Sequence, residues 1–291
     1  LKALDSRGIA VGRDGDWSLE AVIVAAPDVS AYAPPLARFP LYGIEKQNGE
    51  QRPILPIPTL ELANHTLAAM VAKSLLPRDR SNLNQKNGLW FMCETLAREL
   101  PRSGCVHTYD IPGYFSQICR VWCEKYCPLP KDVARRRLFV PYDGTVAAEH
   151  TEAMGGPKDP LSGGNQAYPY LPFYAQGAPI TQPTTFGSLK AGAGMPQGSP
   201  LSAILAEMAM AEVRSRIAAR IPGAVVMTHG DNLLALTPPG FQPDVFETVL
   251  LDAVRCVLCE GAVLEENRKL WRGPPSRRFN YIGFDIGIEH G

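Results

Sequence analysis

Apolar positions recur along the chain with two different periods. Over about 60–76, Leu60, Ala63, Leu67, Met70, Val71 and Leu75 fall at helical spacing and predict one helix. The same spacing predicts helices over about 89–100, over 114–127 in "YFSQICRVWCEKYC", and over 241–260. In "GMPQGSPLSAILAEMAMAEVRSRIAARI", residues 194–221, the second part predicts a helix with Leu201, Ile204, Leu205, Met208, Ala211 and Val213 inward. Shorter apolar runs predict strands at 105–111 ("CVHTYDI") and near 262–265, and hairpins in three places. One spans 41–58 around Asn48-Gly49, a strong turn signal. A second places Gly230-Asp231-Asn232 between Val225-Val226-Met227 and Leu233-Leu234-Leu236, and a third ends in "FNYIGFDIGI", residues 279–288. Residues 143 to about 190, rich in Gly, Pro, Thr and Ala, predict a surface insertion with little regular structure.

Composition adds bounds. With 291 residues, 45% hydrophobic and 20% charged, the chain can bury the core of one large domain or two small ones. Its formal net charge is zero, so only local clusters could attract nucleic acid. The apolar stretches are interrupted short of the roughly 18 residues a membrane span needs, and no signal peptide precedes Leu1, so no membrane partner is expected. Seven scattered cysteines predict reduced thiols in a cytoplasmic, cytosol-like compartment. Cys119, Cys123 and Cys127 share one predicted helix face and Cys256 and Cys259 form a single CxxC. A zinc site needs about four ligands, so packing is the favoured role for both groups.

The candidate chemistry lies in carboxylates. Asp231 at a hairpin tip reads, taken alone, as a turn former ahead of a metal ligand. Asp110 ends the strand at 105–111 in "TYDIPGYFSQI". Adjacent strands carrying these two residues would bring both carboxylates to one or two Mg²⁺ ions, which prefer oxygen ligands and substrate phosphates. Two such ions about 4 Å apart activate an attacking hydroxyl and neutralise a leaving pyrophosphate. That is the chemistry of nucleotidyl transfer.

The order of these pieces resembles the fingers and palm of reverse transcriptases, particularly those of bacterial retrons and group II introns, over about residues 41–288. "IEKQNGEQRPILPIP" is similar to the first fingers motif, "YDIPGYFSQI" to motif A, "GMPQGSPLS" to motif B and "THGDNLLAL" to motif C. "GAVLEENRKL" and "YIGF" are similar to the motif D lysine segment and the motif E primer grip. The resemblance implies metal ligation by Asp110, Ile111 and Asp231, with Asn232 beside them in the catalytic group. It places Lys46 and Arg52 on the incoming triphosphate, Gln197 and Gly198 under the nucleotide, and Phe115 as a sugar gate. Lys269, or its neighbour Arg268, would protonate the pyrophosphate, and Tyr281, Ile282 and Gly283 would grip the primer. "KDVARRR" (131–137) and "RKLWRGPPSRR" (268–278) read either as phosphate contacts or as solvated charged faces.

Motif C departs from the family's Tyr-x-Asp-Asp, with Asn232 for the second aspartate and His229 for the aromatic residue. A Gly-Asp-Asn motif C also occurs in some viral RNA polymerases. Three functions therefore stand: an RNA-directed DNA polymerase, an RNA-directed RNA polymerase, and an inactive palm that binds RNA. The fold expected is α+β, a right-hand polymerase with an antiparallel palm sheet and helices packed on one face. It would consist of an N-terminal extension (1–40), fingers (41–104) and a palm (105–291), with no thumb in this chain. Expected partners are an RNA template and primer, nucleoside triphosphates, two Mg²⁺ ions or Mn²⁺, and a separate thumb or accessory domain.

Overall fold

A computed structural model of the chain describes residues 29–32, 39–40, 42–45, 51–54, 57, 59–76, 79–111, 113–138, 142–143, 195, 198–258 and 270–288. In chain order the elements are β1 (Phe39–Pro40), β2 (Tyr42–Glu45), β3 (Gln51–Ile54), α1 (Thr59–Leu75), α2 (Gly88–Glu99), β4 (Cys105–Asp110), α3 (Tyr114–Gln117), α4 (Arg120–Tyr126), α5 (Lys131–Leu138) and β5 (Tyr142–Asp143). There follow α6 (Pro200–Arg220), β6 (Val225–His229), β7 (Asn232–Thr237), α7 (Pro243–Arg255), β8 (Leu270–Gly273), β9 (Phe279–Tyr281) and β10 (Phe284–Ile286). The chain is thus mixed helix and sheet. Two compact units interleave along it, Leu1–Leu76 with Phe115–Leu205 and Pro77–Tyr114 with Ala206–Gly291. The strand predicted near 262–265 and nearly all of the segment 143–190 lie outside the described residues.

In the first unit, β2 and β3 pair antiparallel with Tyr42 opposite Ile54 and Glu45 opposite Gln51, the hairpin predicted around Asn48-Gly49. The short strands β1 and β5 pair in parallel. Helix α1 forms where the apolar spacing predicts it, but it buries a different face. Met70, Val71 and Leu75 are exposed, whereas Glu61, Asn64, His65, Ala68 and Ala72 are buried. A polar stripe can face inward only when it is fully hydrogen-bonded, and here its partners come from distant segments that periodicity does not register. The single helix expected over 114–127 is two. Cys119 is extended (φ −71°, ψ 124°) and interrupts the i to i−4 ladder between α3 and α4. Tyr114, Ile118, Trp122 and Cys123 are buried on both sides of that break, which is why the apolar spacing reads through it.

The second unit is built on a four-stranded antiparallel sheet of order β6-β7-β4-β8. β4 pairs with β7 from Cys105 opposite Thr237 to Asp110 opposite Asn232. The Thr237 hydroxyl donates to the Cys105 carbonyl at 3.3 Å across 132 residues of sequence. Val106 and His107 point to opposite faces because successive strand side chains alternate. Val106 joins Met92 and Leu96 of α2, with Met227, Leu234, Leu236, Phe279 and Tyr281, in one core cluster. His107 stacks on Phe246 of α7 at 4.1 Å between ring centroids. Helices therefore lie on both faces of the sheet, not on one. The reason is visible in β7, where Leu233-Leu234-Ala235-Leu236 is a continuous buried run with no solvent face, a pattern that requires cover on both sides.

His107 is fully buried and neither ring nitrogen has a hydrogen-bond partner. Burial, reinforced by the Arg272 guanidinium, pushes its pKa down to about 4, so it is neutral in the folded protein. The β9-β10 hairpin pairs Tyr281 with Phe284 around Ile282 (φ 47°) and Gly283 (φ 87°). Positive φ at both central residues is the signature of a type I′ turn, and a β-branched residue is a strained occupant of it.

Candidate active site

The β6-β7 hairpin is closed by His229 opposite Asn232, which leaves Gly230 and Asp231 as a two-residue loop. Gly230 has φ 60° while Asp231 is not among the residues with positive φ, the combination expected of a type II′ turn. A Cβ at position 230 would meet nothing within 4 Å. Conformation rather than space therefore demands glycine there. Asn232 is accordingly the first strand residue and not part of the tip.

Asp110 ends β4 directly opposite Asn232, so it also neighbours Asp231. Residues opposite each other in an antiparallel pair have Cα atoms about 4.5–5.5 Å apart. The juncture is tied at three points. The Ile111 amide donates to the Asp231 carbonyl at 3.1 Å. The Asn232 side-chain amide donates to Asp231 Oδ1, also at 3.1 Å, and so orients that carboxylate. The Tyr281 hydroxyl donates to the Asn232 carbonyl at 3.0 Å, which connects the β9-β10 hairpin to the tip. Burial pushes the Tyr281 phenol well above its ordinary pKa and keeps it a donor. Asp110, Asp231 and Asn232 are themselves half-buried, accessible from solvent.

Beneath the hairpin, Arg214 of α6 is 6% exposed and donates both to the Thr228 hydroxyl of β6 and to the Asp79 carboxylate. The segment before α2 runs beside β6, with Leu83 N–H bonded to the Thr228 carbonyl at 2.8 Å and Thr228 N–H to the Ser81 carbonyl at 2.9 Å. Asn82 donates to Glu207 of α6 at 3.0 Å. Polar residues thus brace the strand that leads to the carboxylate tip. Sequence periodicity gave no sign of this, because Arg214 stands in a run of charged and small residues that reads as an exposed helix end.

The remaining expected site residues fall into three groups. Phe115 is half-buried in the first unit, and its carbonyl accepts the Met195 amide at 2.7 Å. Gly198, also in the first unit, is exposed with φ 125°, a conformation that favours glycine. Arg52 lies in β3 opposite Ile44, and its side chain is outside the described residues, as are Lys46, Gln197, Arg268 and Lys269 altogether. Of the predicted basic runs, 131–137 is helix α5, where Lys131 is exposed but Arg137 is fully buried against Glu61, so Arg137 itself is neither a phosphate contact nor part of a solvated face. In the second run Arg272 pairs with Asp244 and Glu247, and Arg278 with Asp285.

Ser199 caps α6, its hydroxyl accepting the Leu201 amide at 3.2 Å. Among the described residues no group of three or more His, Cys, Asp or Glu side chains gathers as a metal cluster, and no helix is long and apolar enough to cross a membrane. No protein-family model matches the chain, and no curated protein matches it at a significant level.

Proposed function

We propose that the chain is the fingers and palm of an RNA-templated nucleic-acid polymerase, most closely a reverse transcriptase, that transfers nucleotides to a primer 3′-hydroxyl. The observation that carries this reading is the β4-β7 register, which sets Asp110 at a strand end beside Asp231 at a hairpin tip. The donor set is oxygen throughout, two carboxylates with backbone carbonyls nearby, which fits Mg²⁺ bound by few protein ligands and completed by substrate phosphates.

Asp110 and Asp231 would hold the ions, which supply charge neutralisation at the attacking and leaving oxygens. Asn232 keeps the Asp231 carboxylate turned by its amide hydrogen bond. Tyr281, through the Asn232 carbonyl, couples the proposed primer-grip turn of Ile282 and Gly283 to the same strand. Phe115 would exclude a ribose 2′-hydroxyl by clash. Gly198 would let the backbone approach the nucleotide. Arg52, Lys46, Gln197 and Lys269 complete the proposed triphosphate contacts.

Primer extension on RNA and DNA templates, with dNTPs and NTPs supplied separately and with Mg²⁺ or Mn²⁺, tests the reading. Metal-dependent dNTP incorporation supports it. Incorporation of NTPs alone moves the protein to the RNA polymerases, and nucleic-acid binding without incorporation makes it an inactive palm.

A further inference from the structure

Four polar side chains of the first unit are withdrawn from solvent into one chain of hydrogen bonds. Glu61, His65 and Arg137 are 0% exposed and Ser199 is 4% exposed. Arg137 donates to Glu61 Oε1, His65 Nε2 lies 3.1 Å from the same oxygen, and His65 Nδ1 lies 2.8 Å from Ser199 Oγ. Asn64 Nδ2 donates to Glu61 Oε2 at 3.3 Å. Arg137 is further held by the Ala31 carbonyl at 3.3 Å and Asn64 by the Ser30 amide at 2.8 Å.

The directions of these bonds follow from charge. Burial alone would raise the Glu61 carboxyl, but His65 and Arg137 together outweigh it and hold the pKa below the usual value, so Glu61 is an acceptor. His65 must then carry its proton on Nε2. Burial outweighs the pull of Glu61 and keeps the imidazole neutral, with Arg137 acting in the same sense. Nδ1 is therefore a bare acceptor, and the Ser199 hydroxyl donates to it. That orientation leaves the Ser199 oxygen to accept the Leu201 amide at 3.2 Å.

The sequence Ser–His–Glu has the bonding order of a hydrolase relay, yet three features speak against a nucleophile. The ring is reversed, with Nδ1 rather than Nε2 on the serine. The serine oxygen already caps a helix, and the group is buried, with only 4% of Ser199 exposed. What the network does is fix a loop. It runs from α1 to the residue between the Gly198 turn and the first turn of α6.

We infer that His65 is a positioning residue: through the Ser199 hydroxyl it holds the adjoining Gly198 turn in the conformation that receives the nucleotide. The inference rests on the polymerase reading for the identity of the ligand, and on the hydrogen-bond chain for the anchoring itself.

Two variants of similar size separate this from a merely structural role. In His65→Asn the shorter amide occupies the place of Nδ1 and keeps the Ser199 bond while losing Glu61. In His65→Gln the longer amide reaches Glu61 and loses Ser199. Loss of one buried hydrogen bond to the loop is worth about a tenfold change in affinity. His65→Gln should therefore raise KM for nucleotide roughly tenfold with kcat and template-primer Kd little changed, and His65→Asn should stay near the native KM. Amide hydrogen exchange over residues 195–205 should be faster in His65→Gln than in His65→Asn, with residues 225–237 alike in both. Equal exchange over 195–205 in the two variants overturns the anchoring whatever the activity. Faster exchange with an unchanged KM overturns the link to the nucleotide. Failure of the unaltered protein to incorporate any nucleotide refutes the polymerase reading instead, and the exchange comparison still decides the anchoring.

Discussion

Asp110 and Asp231 end up beside each other at the β4-β7 juncture, and the proposed metal site needs both. Asp110→Ala or Asp231→Ala should lower metal-dependent extension by about 10²–10³ or more while template-primer binding survives, and extension kept by both single variants would remove the assignment. Asn232 is the register partner of Asp110 and a donor to Asp231, so a carboxylate in its place would add a third negative charge beside those two. Asn232→Asp sets like charges directly opposite, which costs roughly 0.2–1 kcal/mol in a strand pair. Its melting temperature should fall in a chelator and recover on adding Mg²⁺ by more than that of the native protein; identical Mg²⁺ responses would count against cation binding at this juncture. His107 adds a pH dependence of known sign. Its folded pKa of about 4 lies below the ordinary 6.5, so the unfolded chain binds the extra proton between those values. Stability should be intact above pH 6.5 and decline as pH falls towards 4, by on the order of 3 kcal/mol at most. The difference in urea midpoint between pH 7 and pH 5 should shrink in His107→Leu.

At the scale of elements, the hairpin tip depends on one backbone angle. Gly230→Ala meets no neighbour, yet forces an L-residue to φ 60°, at a cost of about 1–2 kcal/mol. Urea unfolding should show that loss, and extension should fall with it because Asp231 is the next residue. This hairpin, β4 and the β9-β10 hairpin were legible in the sequence, since turn chemistry and short apolar runs are local signals. The inward face of α1 was not. Glu61 and His65 fall outside the apolar spacing, and the Arg137 and Ser199 that meet them lie far along the chain. One local sign existed, an i, i+4 Glu–His pair in a helix whose only other charged residue is Lys73. The strand β8 was missed for a related reason: Leu270 and Trp271 sit inside a basic run whose charge dominates any reading by composition.

For the whole molecule, the two units share the chain in alternating stretches, so neither corresponds to a single continuous segment. Composition and periodicity describe neighbours in sequence and hold no record of such an exchange. The juxtaposition of Asp110 with Asp231 was expected from the order of motifs, whereas the cover on both sheet faces and the bracing by Arg214 emerged only from the tertiary arrangement. The bond that Thr237 makes to Cys105 across 132 residues also sets a clock. At a synthesis rate of about 5–20 residues per second, β4 waits on the order of 7–25 s after leaving the ribosome before its principal partner exists. For that interval Val106 and Tyr109, both buried in the finished sheet, have no β7 to cover them. Ribosome-held chains that end before Val225 should leave the amides of 105–110 open to hydrogen exchange, and chains extended well beyond Thr237 should protect them. Protection in the shorter chains would mean that another segment shelters β4 in the meantime. The two carboxylates of the proposed site thus come into being together, and only once β7 has followed β4 out of the ribosome.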